Sequence, residues 1–137
     1  MIGNVNIGAD DIARAKAFYD ALLLPMGYAV QVWPDALEYS RAVPAGERPH
    51  ADIYITHPYN EQPASVGNGM MIAFQAHDQA QTRTLHAAAL AAGGRDEGAP
   101  GFRPTYSPDF YVGYLRDPQG NKIAVYSSNP DDPTRDD

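Results

Sequence analysis

The chain has 137 residues, 44% of them apolar and 20% charged, and a formal charge of −7. That is enough chain to bury the core of one domain, and the acidic balance excludes a duplex nucleic-acid binder, which needs a basic face for phosphates. The absence of cysteine excludes disulfides, thiolate zinc sites and cysteine nucleophiles.

Residues 2–8 alternate, with Val5 and Ile7 on one face and Asn4 and Asn6 on the other, as in a half-buried strand. Asp10 and Asp11 can then cap a helix whose apolar stripe is Ile12, Ala15, Phe18, Tyr19, Leu22 and Leu23, ended by Pro25 and Gly27. Strand-like runs follow at residues 28–33, 37–43 and 52–56. After a loop over residues 57–67 the order restarts, with a strand at 70–75. Asp78 caps a helix with Leu85, Ala88, Ala89 and Ala92 inward, and Gly93-Gly94 ends it. Residues 95–108 read as irregular, and residues 110–115 as a strand. Asp117-Pro118-Gln119-Gly120-Asn121 is a tight turn, and residues 122–126 form the last strand. The remainder is polar and acidic, and is expected to fray.

A shift of 67 residues lays one half on the other: Asn4 meets Met71, Ile7 meets Phe74, Asp11 meets Asp78, Phe18 meets Leu85 and Gly27 meets Gly94. Strand, cap, stripe and terminating glycine coincide, which points to a duplicated βαβββ unit. The expected fold class is α+β: two βαβββ modules forming a curved, cup-shaped mixed sheet with helices on its outer face. We place one domain over residues 1–128, with module one at 1–57, a linker at 58–67 and module two at 68–128. An acidic tail occupies 129–137.

IGADDIARAKAFYDALLLPMGY, NGMMIAFQA, HAAALAAGG and YLRDPQGNKI carry a further signal. In these segments the chain resembles the vicinal oxygen chelate superfamily, which includes glyoxalase I, extradiol dioxygenases and the bleomycin- and fosfomycin-resistance proteins. The resemblance runs from about residue 2 to residue 126, and two of its segments are close to a bacterial glyoxalase-like branch. It implies the cupped fold. It also implies that metal-dependent members carry histidine on the first and fifth strands and glutamate on the eighth. The matching positions here are Asn4, Met71 and Ala124.

A divalent metal needs several oxygen or imidazole donors converging on one point. Asn4 offers one neutral carbonyl, Met71 a thioether suited to soft copper(I), and Ala124 nothing. His50, His57, His77 and His86 all fall off the cup-facing strand positions. We therefore expect no divalent metal and no cofactor. The chain has no Gly-x-Ser-x-Gly elbow, phosphate loop, dinucleotide fingerprint or His-Glu-x-x-His helix. Helix capping accounts for Asp10-Asp11 and turn closure for Asp117. Glu38 and Tyr39 are adjacent on a strand, so one of them faces inward; an inward Glu38 is a candidate general base.

Strand parity lines the cup with Asn4, Asn6, Tyr54, Thr56, Met71, Ala73, Tyr111, Gly113, Ala124 and Tyr126, with Lys122 at the rim. Arg103, on a loop with Tyr106, is placed to meet an anionic group, and Trp33 sits at another loop end. Aromatic rings, small residues and neutral hydrogen-bonding groups suit a small, partly apolar or aromatic molecule. The leading expectation is a metal-free small-molecule binder. The alternatives are an enzyme of the glyoxalase or dioxygenase type using non-standard residues or metal, and an interaction module with a vestigial cup. Exposed sheet edges pair with further copies, so a homodimer is expected. No apolar run is long enough to cross a bilayer, and the first residues lack a secretory pattern, so the expected setting is cytoplasmic.

Overall fold

The computed structural model describes residues 1–136. Two modules follow one another. The first comprises β1 (Val5–Gly8), α1 (Ile12–Leu23), a 3₁₀ turn (Leu24–Met26), β2 (Tyr28–Trp33), β3 (Ala36–Arg41) and β4 (Ile53–Thr56). The second comprises β5 (Ile72–Gln75), α2 (Gln79–Ala91), β6 (Arg95–Phe102), β7 (Tyr111–Arg116) and β8 (Lys122–Ser127). The 67-residue offset carries the first residue of β1 onto that of β5 and the first residue of α1 onto that of α2.

Each module forms a four-stranded mixed sheet, ordered β1-β4-β3-β2 and β5-β8-β7-β6. The chain enters each sheet at one edge and returns beside that strand in parallel, β1 with β4 and β5 with β8; the other pairings are antiparallel. This is the duplicated βαβββ unit expected from the sequence. β1 and β5 start later than their alternation suggested. Ile2, Asn4, Met70 and Met71 accordingly lie ahead of β1 and β5, and all four are exposed.

Both helices are capped as the sequence requires. Asp11 accepts from the Arg14 N–H at 3.0 Å, and Asp78 from the Gln81 N–H at 2.7 Å. Lys16 pairs with Asp20 one turn along α1. Gly27 leaves the first helical segment with φ 92° and Gly93 the second with φ 105°, a conformation costly for other residues. In the second module the left-handed position is thus Gly93, one residue before the match the repeat gave.

The helices pack on one face of each sheet and on each other. Phe18, Tyr19, Leu22 and Leu23 of α1, Leu37, Tyr39 and Ile55 of the first sheet, and Leu85, Leu115, Ile123 and Val125 of the second all belong to one core cluster. Burying each such side chain contributes about 1.5–3 kcal/mol, so the shared core binds the modules together. Phe18 also reaches into the second module: a Cβ at Gly94 would lie 2.8 Å from its ring and 2.8 Å from the Ala89 carbonyl oxygen.

Two stretches differ from the sequence expectation. Residues 95–102, read as irregular, form β6, an edge strand paired to β7 with register shifts between Asp96 and Gly98 and between Gly98 and Gly101. Two glycines and Pro100 break the alternation that would have revealed it. The tail does not fray as far as it is described. The Gln79 N–H donates to Asp132 Oδ2 at 2.7 Å, the Arg135 N–H to the Pro108 carbonyl at 2.8 Å, and Arg135 Nη1 to the Arg103 carbonyl at 2.8 Å. The expected acidic tail ends at Asp137, which lies outside the described residues.

Candidate functional site

Strand register sorts every side chain onto the helix-covered face or the open face. In the first module the open face carries Asn6, Tyr54, Thr56, Glu38 and Ser40, as the pairings Asn6 with Tyr54 and Glu38 with Tyr54 require. Asn6 is exposed and hydrogen-bonded to the Thr56 hydroxyl at 3.0 Å. Tyr39 points the other way, fully buried, so Glu38 is the member of that pair on the open face. In the second module Ala73 pairs with Ala124, Gln75 and Val112 with Tyr126, Tyr114 with Ala124 and Arg116 with Lys122, which puts all of them on the open face.

The placement of Tyr111 and Gly113 in the cup is corrected by β7. Tyr111 and Gly113 alternate with Leu115, whose fully buried side chain belongs to the core against the helices. The Tyr111 hydroxyl accepts from Arg83 of α2 at 3.4 Å, and a Cβ on Gly113 would meet His86 of α2 at 2.8 Å. Alternation misled here because Tyr111, Val112 and Gly113 are all buried, so exposure does not mark the faces of the strand. Leu115 in line with Ile123 was the signal that would have set the parity. It puts Val112 and Tyr114, which sequence reasoning missed, on the open side.

Asn4, Met71 and Ala124, the positions matched to metal ligands, do not line a common cavity. A crevice of about 180 Å³ between β1 and the β5–β8 pair is lined by Asn6, Gly8, Met70, Met71, Asn121 and Lys122 among others. Met71 is on its wall and 43% exposed, whereas Ala124 is 1% exposed within β8 and Asn4 is exposed ahead of β1. Among the described residues no three histidine, cysteine, aspartate or glutamate side chains converge. The donor set does not fit a divalent metal. His86 is spent on the Tyr114 carbonyl at 3.0 Å and His57 on the Ala9 carbonyl at 3.1 Å.

A wider hollow of about 710 Å³ lies beside Asp10, Asp35, His57, Tyr59 and Glu61. Its walls are largely exposed loop side chains and no strand positions them. We take the sheet face, with its fixed register, as the candidate site.

Over the second sheet the face is aromatic and locally basic. Arg103 stands 5.4 Å from the Tyr114 ring centroid and Lys122 Nζ 5.1 Å from the same centroid. Burial raises Tyr114 above the ordinary tyrosine range and the neighbouring Tyr106 adds to this, with Arg103 opposing. Phe110 packs 5.2 Å from Tyr126 and 5.3 Å from Tyr106, and the Tyr126 hydroxyl reaches Gln75 Oε1 at 3.5 Å. Of the expected site residues, Asn6, Tyr54, Thr56, Ala73, Ala124, Tyr126 and Arg103 are on or above the open face, with Met71 at its edge.

Comparison with solved structures agrees with this architecture. The chain is 38% identical to a glyoxalase/bleomycin resistance protein from Albidiferax ferrireducens, covering 91% of this chain and 96% of that one with a TM-score of 0.75. The chain belongs to the glyoxalase/bleomycin resistance protein family. It shares its fold with a glyoxalase-related enzyme from Fulvimarina pelagi at 19% identity, covering 95% and 88% of the two chains with a TM-score of 0.71. A lactoylglutathione lyase from Agrobacterium tumefaciens has the same fold at 21% identity, covering 93% and 92% with a TM-score of 0.59. No family model and no curated protein matches. Among the described residues no helix is long and apolar enough to cross a membrane.

Proposed function

We propose that this chain is a binding protein of its family that holds a small, partly apolar or aromatic molecule against the open sheet face without a divalent metal. The composition of that face carries the reading. Amides and hydroxyls (Asn6, Thr56, Gln75), small residues (Ala73, Ala124) and rings (Tyr54, Tyr114, Tyr126) replace converging imidazoles and carboxylates. Such a surface orients a ligand by stacking and a few hydrogen bonds. A thioether at Met71 adapts to an irregular ligand shape at the crevice wall. The name of the Albidiferax relative includes bleomycin resistance, and sequestration without turnover is the mode this donor set favours.

Protein purified without chelator should contain well under 0.1 equivalent of zinc, nickel, iron or manganese. A thermal-shift screen of aromatic metabolites and antibiotics should find stabilising compounds, since a ligand at 100 times its Kd adds about 2.7 kcal/mol. Near one equivalent of metal, or silence across the screen, overturns the reading.

The working unit we propose is a homodimer. β1 and β5 each have a strand on one side only, and Val32 and Trp33 are exposed at the β2 edge. Sedimentation should show a dimer at micromolar concentration; a monomer there removes the dimer.

A further inference from the structure

We propose that the open face of the second sheet is an anion receptor, built from Arg103 and Lys122 around Tyr114, and that its ligand is a small organic carboxylate with an apolar or aromatic body. The inference rests on the small-molecule reading above and narrows it to a chemical class.

The first observation is the pairing of charges. The chain carries 17 acidic residues against 10 lysines and arginines, so carboxylate partners are plentiful. Arg116 takes Glu97 at 2.9 Å, Arg41 lies 3.6 Å from Asp52, and Lys16 takes Asp20. Like Arg14, Arg48, Arg83 and Arg95, the half-buried Arg103 and Lys122 form no ion pair among the described residues. They stand instead over one tyrosine ring. Two positive charges flanking one ring make this face a place for a bound anion.

The second observation is that the arginine is held in place without being neutralised. Its Nη1 donates to the Phe102 carbonyl at 3.1 Å and its Nη2 to the Ala99 carbonyl at 2.9 Å. The register shifts of β6 make room for it: a Cβ at Gly98 would come within 3.2 Å of Nη2, and one at Gly101 within 3.3 Å of Nη1. The tail braces the same residue through Arg135 Nη1 on its carbonyl, 2.8 Å away. A planar guanidinium fixed in this way keeps donor capacity for a carboxylate, and the fixing lowers the entropy lost on binding.

The third observation concerns size. Lys122 is also a wall of the crevice of about 180 Å³ that holds Met71 and Asn6. An apolar cavity of roughly 150 Å³ accepts benzene. With the carboxylate at the two cations, the crevice has room for a single ring or a short aliphatic chain, with Met71 against it.

The test pairs acids with their neutral amides on the full chain: benzoate with benzamide, phenylacetate with phenylacetamide, and hexanoate with hexanamide, titrated by amide NMR shifts. At least one acid should bind tenfold or more tightly than its amide and shift the Tyr114 and Lys122 signals. Its preference should shrink as sodium chloride rises from 20 to 300 mM. Arg103→Gln and Lys122→Gln should each remove the preference, bringing the affinity for the acid down to that for its amide. The parent comparison stands even if a variant fails to fold. If acids bind no more tightly than amides, the anion receptor is wrong and the small-molecule reading survives. If no member of any pair binds while the antibiotic and metabolite screen gives hits, the anion receptor again fails alone. Silence in both removes both.

Discussion

Replacing Asp117 by alanine should destabilise the protein by about 3–5 kcal/mol, because one buried carboxylate serves both modules. Asp117 is 2% exposed. Its Oδ1 accepts from the backbone N–H groups of Gln119, Gly120 and Asn121 at 2.9–3.0 Å, which closes the turn between β7 and β8. Its Oδ2 accepts from Asn121 Nδ2 at 2.9 Å and from the Tyr19 hydroxyl of α1 at 2.6 Å. Asn121 Nδ2 also donates to the Gly8 carbonyl at the end of β1, 3.1 Å away, and Gln119 Oε1 accepts from the Asp10 N–H at 2.9 Å. Alanine would orphan a fully buried tyrosine hydroxyl and the amides of the turn together. Asparagine keeps an acceptor for the turn but presents an NH₂ to donors, and should cost about half as much. For a chain of this length the alanine variant should melt roughly 10–20 °C lower, measured by circular dichroism with urea titration beside it. A loss below about 1 kcal/mol would mean the turn rearranges around another acceptor and the Tyr19 bond adds little to the joining of the modules.

The sequence announced half of that device. Proline and glycine around Asp117 marked the turn, and the 3.6-residue stripe through Phe18, Tyr19 and Leu22 marked a helix with Tyr19 on its inner face. Nothing local joins Tyr19 to a residue 98 positions later, and that bond is one of those that tie the modules. The repeat, both helix caps and most strands were legible because periodicity and capping are short-range properties. The open face was legible wherever a strand alternates cleanly, as with Tyr54 and Thr56 between the buried Ile53 and Ile55. It failed at β7, where both faces are covered, and at β6, where glycines and register shifts erase the pattern. Asn4 and Met71 show a third limit. The resemblance implies which residues occupy the ligand positions, but the strands begin one residue after each, leaving both side chains exposed at the ends of the sheet. Arg103 was legible as a cation on a loop; the bed that holds it comes from β6, which the sequence pattern did not reveal.

Alkaline pH should unfold this protein sooner than its carboxylate content suggests, and two tyrosines should account for much of the effect. Tyr19 and Tyr39 are fully buried, and each donates its hydroxyl to a carboxylate, Tyr19 to Asp117 at 2.6 Å and Tyr39 to Asp20 at 2.8 Å. Burial first, and the adjacent carboxylate second, raise both well above the ordinary tyrosine value, since ionisation would set a second negative charge beside the first in a dry site. The folded form therefore holds its phenolic protons where the unfolded chain releases them. Their stabilising contribution is complete below the unfolded tyrosine value of about 10 and is lost as pH climbs from there toward the folded values. Each tyrosine contributes a slope approaching 1.4 kcal/mol per pH unit, so the pair should remove roughly 3 kcal/mol between pH 8 and pH 11. Urea unfolding at pH 8, 10 and 11 measures this. Tyr39→Phe and Tyr19→Phe should each lower stability at pH 8 by about 1–2 kcal/mol, through the lost hydrogen bond, yet each should reduce the alkaline slope by about half. The crossing of those two trends separates titration from simple weakening. Parallel curves for parent and variants would show that the phenols ionise in place, and that solvent reaches hydroxyls the packing of α1 against β3 closes off.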